Sequence, residues 1–252
     1  MKKKNNQKES TVARVLTDET PFAIREAFNL LRTNLMYTLS DTDGSAHIYG
    51  VTSTAEGAGK STIIVNLAIS FAQLNKKVLI IDGDMRRPTL HTFFDVDPLN
   101  AGLSELLSGI NDNVIVKGIK PDLDIITSGR IPPNPSELIT SPKFSEYLER
   151  WKSEYDVIFI DFPPIGIVTD AVANCKMING YIFVIRSGKS NAKGVNSCIE
   201  SMEKIGAKIV GVVLNDYNMK GSVGYSRAGS RYAAKANSKY EIADEKRKKE
   251  SQ

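Results

Sequence analysis

Residues 47–62, HIYGVTSTAEGAGKST, set an apolar run directly before a glycine-bearing turn and a Lys-Ser-Thr triplet. Gly57 and Gly59 let the backbone turn N–H groups onto an anion, and a helix opening at Lys60 adds the positive end of its dipole. Residues 54–62 fit the phosphate-loop pattern at Gly59, Lys60 and Ser61, with Thr54 where the pattern usually has its first glycine. In that pattern the lysine reaches the outer phosphates and the serine hydroxyl serves Mg²⁺. The geometry needs a strand before the turn and a helix after it, so this stretch already commits the chain to a strand–turn–helix unit.

The rest of the chain repeats the unit. Apolar runs at 47–53, 77–82, 123–127, 156–161, 181–186 and 208–215 read as strands. They are nearly continuous in Ile and Val, as parallel strands buried on both faces require. Helical patterns fall at 21–39, 60–74, 101–108, 142–152, 168–177 and 190–205, and the Gly/Pro-rich 128–142 reads as a loop. The alternation predicts an α/β fold: a doubly wound, mostly parallel sheet of the P-loop NTPase type. The expected organisation is a flexible segment 1–20, a nucleotide-binding domain 21–216 and a flexible basic tail 217–252, which contains no Leu, Phe or Trp.

Charge sharpens that division. The net charge is +4, but residues 1–10 carry +3 and 217–252 carry +5, which leaves −4 on 11–216. A mildly acidic body argues against a nucleic-acid-binding face, so no nucleic-acid partner is expected. Neither a secretory signal nor a membrane-length apolar run is evident, and Cys175 and Cys198 lack metal-ligand spacing; these features suit a reduced, cytoplasmic protein. His47 and His91 stand alone and receive no role.

Two further strand ends bear carboxylates. VLIIDGDMRRP (78–88) brings Asp82 and Asp84, and VIFIDFPP (157–164) brings Asp161. A single Asp at such a position could simply cap a helix or form a turn. Three of them, at the sheet edge where ligands bind in open α/β folds, favour a Mg²⁺–nucleotide site.

The loop without its first glycine, LIIDGDMRRP, DFPP, PPNPSEL (132–138) and a tyrosine-bearing tail together resemble the bacterial tyrosine kinases of capsule and exopolysaccharide operons, in particular the cytoplasmic kinase subunit of Gram-positive type. The resemblance spans roughly 20–215 and the character of the tail. It implies ATP and Mg²⁺ as cofactors, with Gly57, Ala58, Gly59, Lys60, Ser61 and Thr62 around the phosphates and Asn215 as an adenine contact, although Asn215 also suits a strand-end turn. It implies Lys60, Asp82, Asp84 and Asp161 as the catalytic set, and Ser61, Asp82 and Asp161 at the metal. It implies a ring-like homo-oligomer using an E-x-x-R-x-x-R helix, of which Glu26 and Arg32 are kept and Asn29 replaces the central arginine. It also implies a transmembrane co-polymerase-type activator that recruits the chain to the inner face of the membrane, and an opposing tyrosine phosphatase. Phe93 and Phe94 are possible activator contacts.

Of nine tyrosines, Tyr217, Tyr225, Tyr232 and Tyr240 lie in the last 36 residues, among Gly, Ser, Ala, Lys and Arg. The resemblance makes them autophosphorylation sites, of which Tyr217 closely follows the last strand. Each phosphate adds about −1.5 to −2 charge, enough for three to cancel the tail's positive excess. Two rival readings share the nucleotide site: a ParA/MinD-like ATPase and a non-catalytic, nucleotide-sensing assembly subunit. Ala55 stands where ParA/MinD proteins carry their signature lysine, which weighs against the first.

Overall fold

The structure, a computed structural model, describes residues 15–38, 46–165 and 175–217. Seven strands form one sheet: β1 His47–Ser53, β2 Val78–Asp82, β3 Val116–Lys120, β4 Leu123–Ile126, β5 Val157–Asp161, β6 Gly180–Arg186 and β7 Ile209–Asn215. Their order is β3-β4-β2-β5-β1-β6-β7, and all neighbours are parallel except the β3–β4 hairpin. Every residue of β2 and β5 is buried, because helices cover both faces; this is why those strands read as unbroken apolar runs.

The helices among the described residues are α1 Phe22–Tyr37, α2 Lys60–Ala72, α3 Leu103–Leu107, α4 Pro135–Ile139, α5 Pro142–Lys152 and α6 Ala192–Lys204. α2 lies between the sheet and α1 and has eleven of its thirteen residues buried, so it is apolar nearly all round. Its face of the sheet holds one core cluster, with Ile64, Leu67, Phe71 and Phe159 at its centre. The other face packs Leu103, Phe144, Leu148, Trp151 and Met202 against Ile158, Ile160 and Phe183. No helix of the described residues is long and apolar enough to cross a membrane.

The six expected strands form within a residue or two of their expected bounds. β3 escaped the sequence reading because VKGIK is a half-exposed edge strand with no apolar run. It is held antiparallel to β4 through the tight turn Pro121-Asp122, where Asp122 takes φ +57°. Within the expected loop 128–142, α4 forms because Pro135 suits the first helical turn and Ile139 is drawn into the core. The segment 1–20 is not loose throughout: Val15 and Leu16 are buried, and the Leu16 N–H donates to Asn66 Oδ1 at 2.7 Å. The expected helix at 168–177 falls largely outside the described residues; its described end, Cys175–Met177, forms a single 3₁₀ turn.

The chain leaves β1 through α2 to β2 on one side, while β6 and β7 lie on the other. β1 therefore stands at the point where winding reverses, and the crevice outside the carboxyl ends of its neighbours is the natural ligand position.

Candidate active site

The loop from Thr54 to Gly59 leaves β1 at this crevice. Gly57 has φ +71° and Gly59 φ +94°, a left-handed conformation that favours glycine, and Gly59 is the residue from which α2 starts. A β-carbon on Gly59 would also sit 2.0 Å from Asn215 Nδ2, so the Asn215 side chain would have to move aside. Lys60 opens the helix; it is buried, and its ammonium lies 3.9 Å from Asp84 Oδ2.

The carboxylates arrive from neighbouring strands. Asp82 and Asp161 end β2 and β5 and are register partners. Ser61 Oγ donates to Asp161 Oδ2 at 2.6 Å and shares a 2.7 Å hydrogen bond with Thr89 Oγ1. The N–H groups of Thr89 and Leu90 donate to Asp82 Oδ2 at 3.1 and 3.0 Å. The path Asp82–Thr89–Ser61–Asp161 thus links the two strand ends through the first turn of α2. Asp84 accepts from the Arg87 N–H at 3.2 Å. Glu56, at the lip of the phosphate loop, pairs with the Arg87 guanidinium and ties loop to loop.

Electrostatics single out the same residues. Burial is the main force raising the Asp82 carboxyl well above the usual aspartate range; Asp161 raises it further, and the Leu90 and Thr89 N–H groups oppose. Burial also raises Asp161 and Asp84, with Lys60 holding both partly down. A buried carboxylate pair that one lysine compensates only in part is unfavourable, which marks this pair as a candidate for handling a cation or a proton.

Two oxygens test whether Mg²⁺ fits. Asp82 Oδ1 and Asp161 Oδ1 are buried without a hydrogen-bond partner, beside the Ser61 hydroxyl that Asp161 holds. Among the described residues no three His, Cys, Asp or Glu side chains converge as an all-protein metal cage would need. Magnesium needs no such cage; it takes one or two carboxylates and completes its shell with phosphate oxygens and water. The donor set is hard oxygen throughout, and it fits.

The other expected residues sort as follows. Gly57, Ala58 and Thr62 lie on the loop and the first turn of α2. Asn215 reaches the loop, but its Nδ2 donates to Ala58 O at 2.9 Å. Arg32 is half-buried and donates to the Ser70 carbonyl in the last turn of α2, while Glu26 accepts from Asn29 at 2.8 Å. Both contacts are intramolecular. Phe93 and Phe94 are partly buried against the core beside α2. Tyr217 is half-exposed just past β7, and Tyr225, Tyr232 and Tyr240 lie outside the described residues. Thr89, Glu56, Arg87 and Arg186 join the site only through the fold. Thr89 directly follows Met85-Arg86-Arg87-Pro88, and a hydroxyl beside that motif is the signal the sequence offers.

Comparison with known proteins bears on the family and the fold. The sequence matches the AAA domain family over residues 47–214. It is 38% identical over 214 residues to the putative tyrosine-protein kinase CapB of Staphylococcus aureus, covering 83% of this chain and 92% of that one. The kinase domain of the Escherichia coli tyrosine kinase ETK superposes with a TM-score of 0.74 at 35% identity, covering 80% of this chain and 79% of the domain. In the E. coli etk sequence the matched stretch is 28% of the whole. The septum site-determining protein MinD of Pyrococcus horikoshii, complexed with Mg-ADP, superposes with a TM-score of 0.59 at 25% identity, covering 73% of this chain and 76% of that one.

Proposed function

The chain belongs to the bacterial tyrosine-kinase family, and from that premise we propose that it transfers the γ-phosphoryl group of ATP to tyrosine hydroxyls and thereby regulates capsule or exopolysaccharide synthesis. The observation that carries the reading is the pair of unpartnered, buried carboxylate oxygens on Asp82 and Asp161 set against Ser61 and Lys60 at the phosphate loop.

Each residue has a distinct task. The N–H groups of 57–62 and the Lys60 ammonium bind the β- and γ-phosphates. Asp82, Asp161 and the Ser61 hydroxyl would hold Mg²⁺, which when bound with the nucleotide neutralises charge on the phosphate oxygens. Asp84, raised by burial, takes the proton of the attacking tyrosine hydroxyl as the new O–P bond forms and the bond to the β-phosphate oxygen breaks, releasing ADP. Little more is required, because phosphoryl transfer is dominated by positioning and charge stabilisation. Asp82 adds to this by fixing Thr89, and Thr89 fixes Ser61.

The acceptors we assign are Tyr225, Tyr232 and Tyr240, with Tyr217 closest to the fold, phosphorylated between subunits of a homo-oligomer. A transmembrane activator would bring the chain to the membrane. The matched region is only part of E. coli etk, whose remaining length a separate subunit would replace here. Against the ATPase alternative, Ala55 withholds the lysine that ParA/MinD proteins place at this position.

A transfer assay with γ-labelled ATP and Mg²⁺ tests the proposal, run with and without an activator fragment. Alkali-stable label on tyrosine should appear in the full chain and vanish in Lys60→Met and in a chain ending at Asp216. Phosphate release with no labelled protein, even with a working activator, overturns it in favour of an ATPase.

A further inference from the structure

One side chain outside the catalytic set touches both the phosphate loop and the residue that follows β7. Arg186 ends β6. Its Nη1 donates to the Gly57 carbonyl at 3.1 Å, while Nε and Nη2 grip Asp216 Oδ2 at 3.0 and 2.9 Å. Next to it Asn215, ending β7, donates to the Ala58 carbonyl at 2.9 Å. The Ser187 N–H closes the two strand ends by donating to the Asn215 carbonyl at 2.9 Å.

These contacts determine which way the loop's donors point. Across a trans peptide the carbonyl and the following N–H point in opposite directions. Capturing the carbonyls of Gly57 and Ala58 from the β6–β7 side therefore turns the N–H groups of Ala58 and Gly59 the other way. Those are two of the donors a phosphate needs. Asp216 holds φ +57°, sparsely populated for a residue with a side chain, and it is the last residue before the segment that carries all four candidate acceptor tyrosines. Arg186 thus joins the root of that segment to the loop through a single planar fork. An exposed Arg–Asp pair alone contributes little stability, so its placement is better explained by geometry than by energy.

We propose that Arg186 is a positioning residue for nucleotide binding, and that it couples the root of the tyrosine-bearing segment at Asp216 to the shape of the phosphate loop. The importance of that segment rests on the kinase reading above; the contact itself does not. A pull on Asp216 as a downstream tyrosine enters an active site loosens the Gly57 carbonyl and weakens the grip on nucleotide. By reciprocity, bound nucleotide tightens the root of the segment.

The test is equilibrium binding of a fluorescent ADP analogue with Mg²⁺ to the full chain, which needs no transfer chemistry. Arg186→Gln should weaken binding by roughly tenfold, and Arg186→Lys, which keeps the charge but loses the fork, should recover only part of it. Asp216→Asn should weaken binding about threefold in the parent and not at all in the Arg186→Gln background, because Asp216 acts through Arg186. Thermal melts separate these effects from misfolding. If Arg186→Gln does not fold, Arg186→Lys takes its place in the cycle. Unchanged affinity in Asp216→Asn, or effects that simply add, overturns the coupling while leaving the kinase reading intact. Failure of the parent chain to bind the analogue overturns both.

Discussion

Replacing Asp82 by Asn should make the protein more stable and inactive. Asp82 and Asp161 are fully buried register partners on adjacent strands, each with one oxygen lacking a partner. Adjacent strands lie about 4.8 Å apart, and two charges about 5 Å apart at an effective dielectric near 20 would repel by roughly 3 kcal/mol if both were ionised, a repulsion that the raised Asp82 carboxyl escapes only by taking up a proton. An asparagine carbonyl can still accept from Thr89 and Leu90, which Asp82 Oδ2 now serves. The amide removes the need to ionise or protonate this buried group and gives Asp161 a donor as neighbour. Without divalent cation the variant should therefore gain about 1–3 kcal/mol. Urea denaturation in EDTA reads this directly, as a higher midpoint at unchanged slope. Adding Mg²⁺ and ADP should stabilise the parent by about 2.7 kcal/mol at a hundredfold excess over Kd, and the variant by far less. A variant less stable than the parent in EDTA, or one that gains equally from Mg²⁺ and ADP, would refute the assignment of this pair to a cation.

Three other changes probe the supporting structure. Glu105 is buried; burial raises its carboxyl, but the Gly102 N–H, the Ser104 hydroxyl and the Arg130 N–H outweigh that and hold it below the ordinary glutamate value. Its folded-state pKa is depressed, so its stabilisation is present above the unfolded value of about 4.3 and is lost as pH falls through the folded one. Glu105→Ala should cost about 2–4 kcal/mol at pH 7 and flatten the acid limb of a stability–pH curve. Gly59→Ala meets both the positive φ and Asn215 Nδ2; it should destabilise by about 1–3 kcal/mol and abolish nucleotide binding in a titration. Arg32→Ala removes the donor to the Ser70 carbonyl near the C-terminal end of α2 and should lower stability by about 1–2 kcal/mol at protein concentrations too low for assembly. A loss seen only at high concentration would place Arg32 at a subunit contact instead.

What the sequence alone determined was whatever is encoded by local pattern. The six strands at buried positions were legible because burial on both faces demands unbroken Ile/Val runs. The phosphate loop was legible because Gly57 and Gly59 must take φ values that other residues avoid. Asp82, Asp84 and Asp161 were legible because a carboxylate ending a buried strand is unfavourable without a purpose.

Tertiary structure alone decided what depends on residues far apart in the chain. β3 exists only because β4 pairs with it, and α4 only because the core accepts Ile139. Val15 and Leu16 belong to the core because Asn66 holds the backbone there. Thr89 joins the site through its distance to Ser61 and Asp82, a relation that spacing in sequence does not carry. The resemblance implies a contact surface at Glu26 and Arg32, and the fold adds that both side chains also have partners within the chain. Asn215 and Arg186, 29 positions apart in sequence, meet at the phosphate loop because β6 and β7 are parallel neighbours with Arg186 and Asn215 in register. Register is a property of the assembled sheet, set by which strands bury which faces together, and no stretch of the chain contains it by itself.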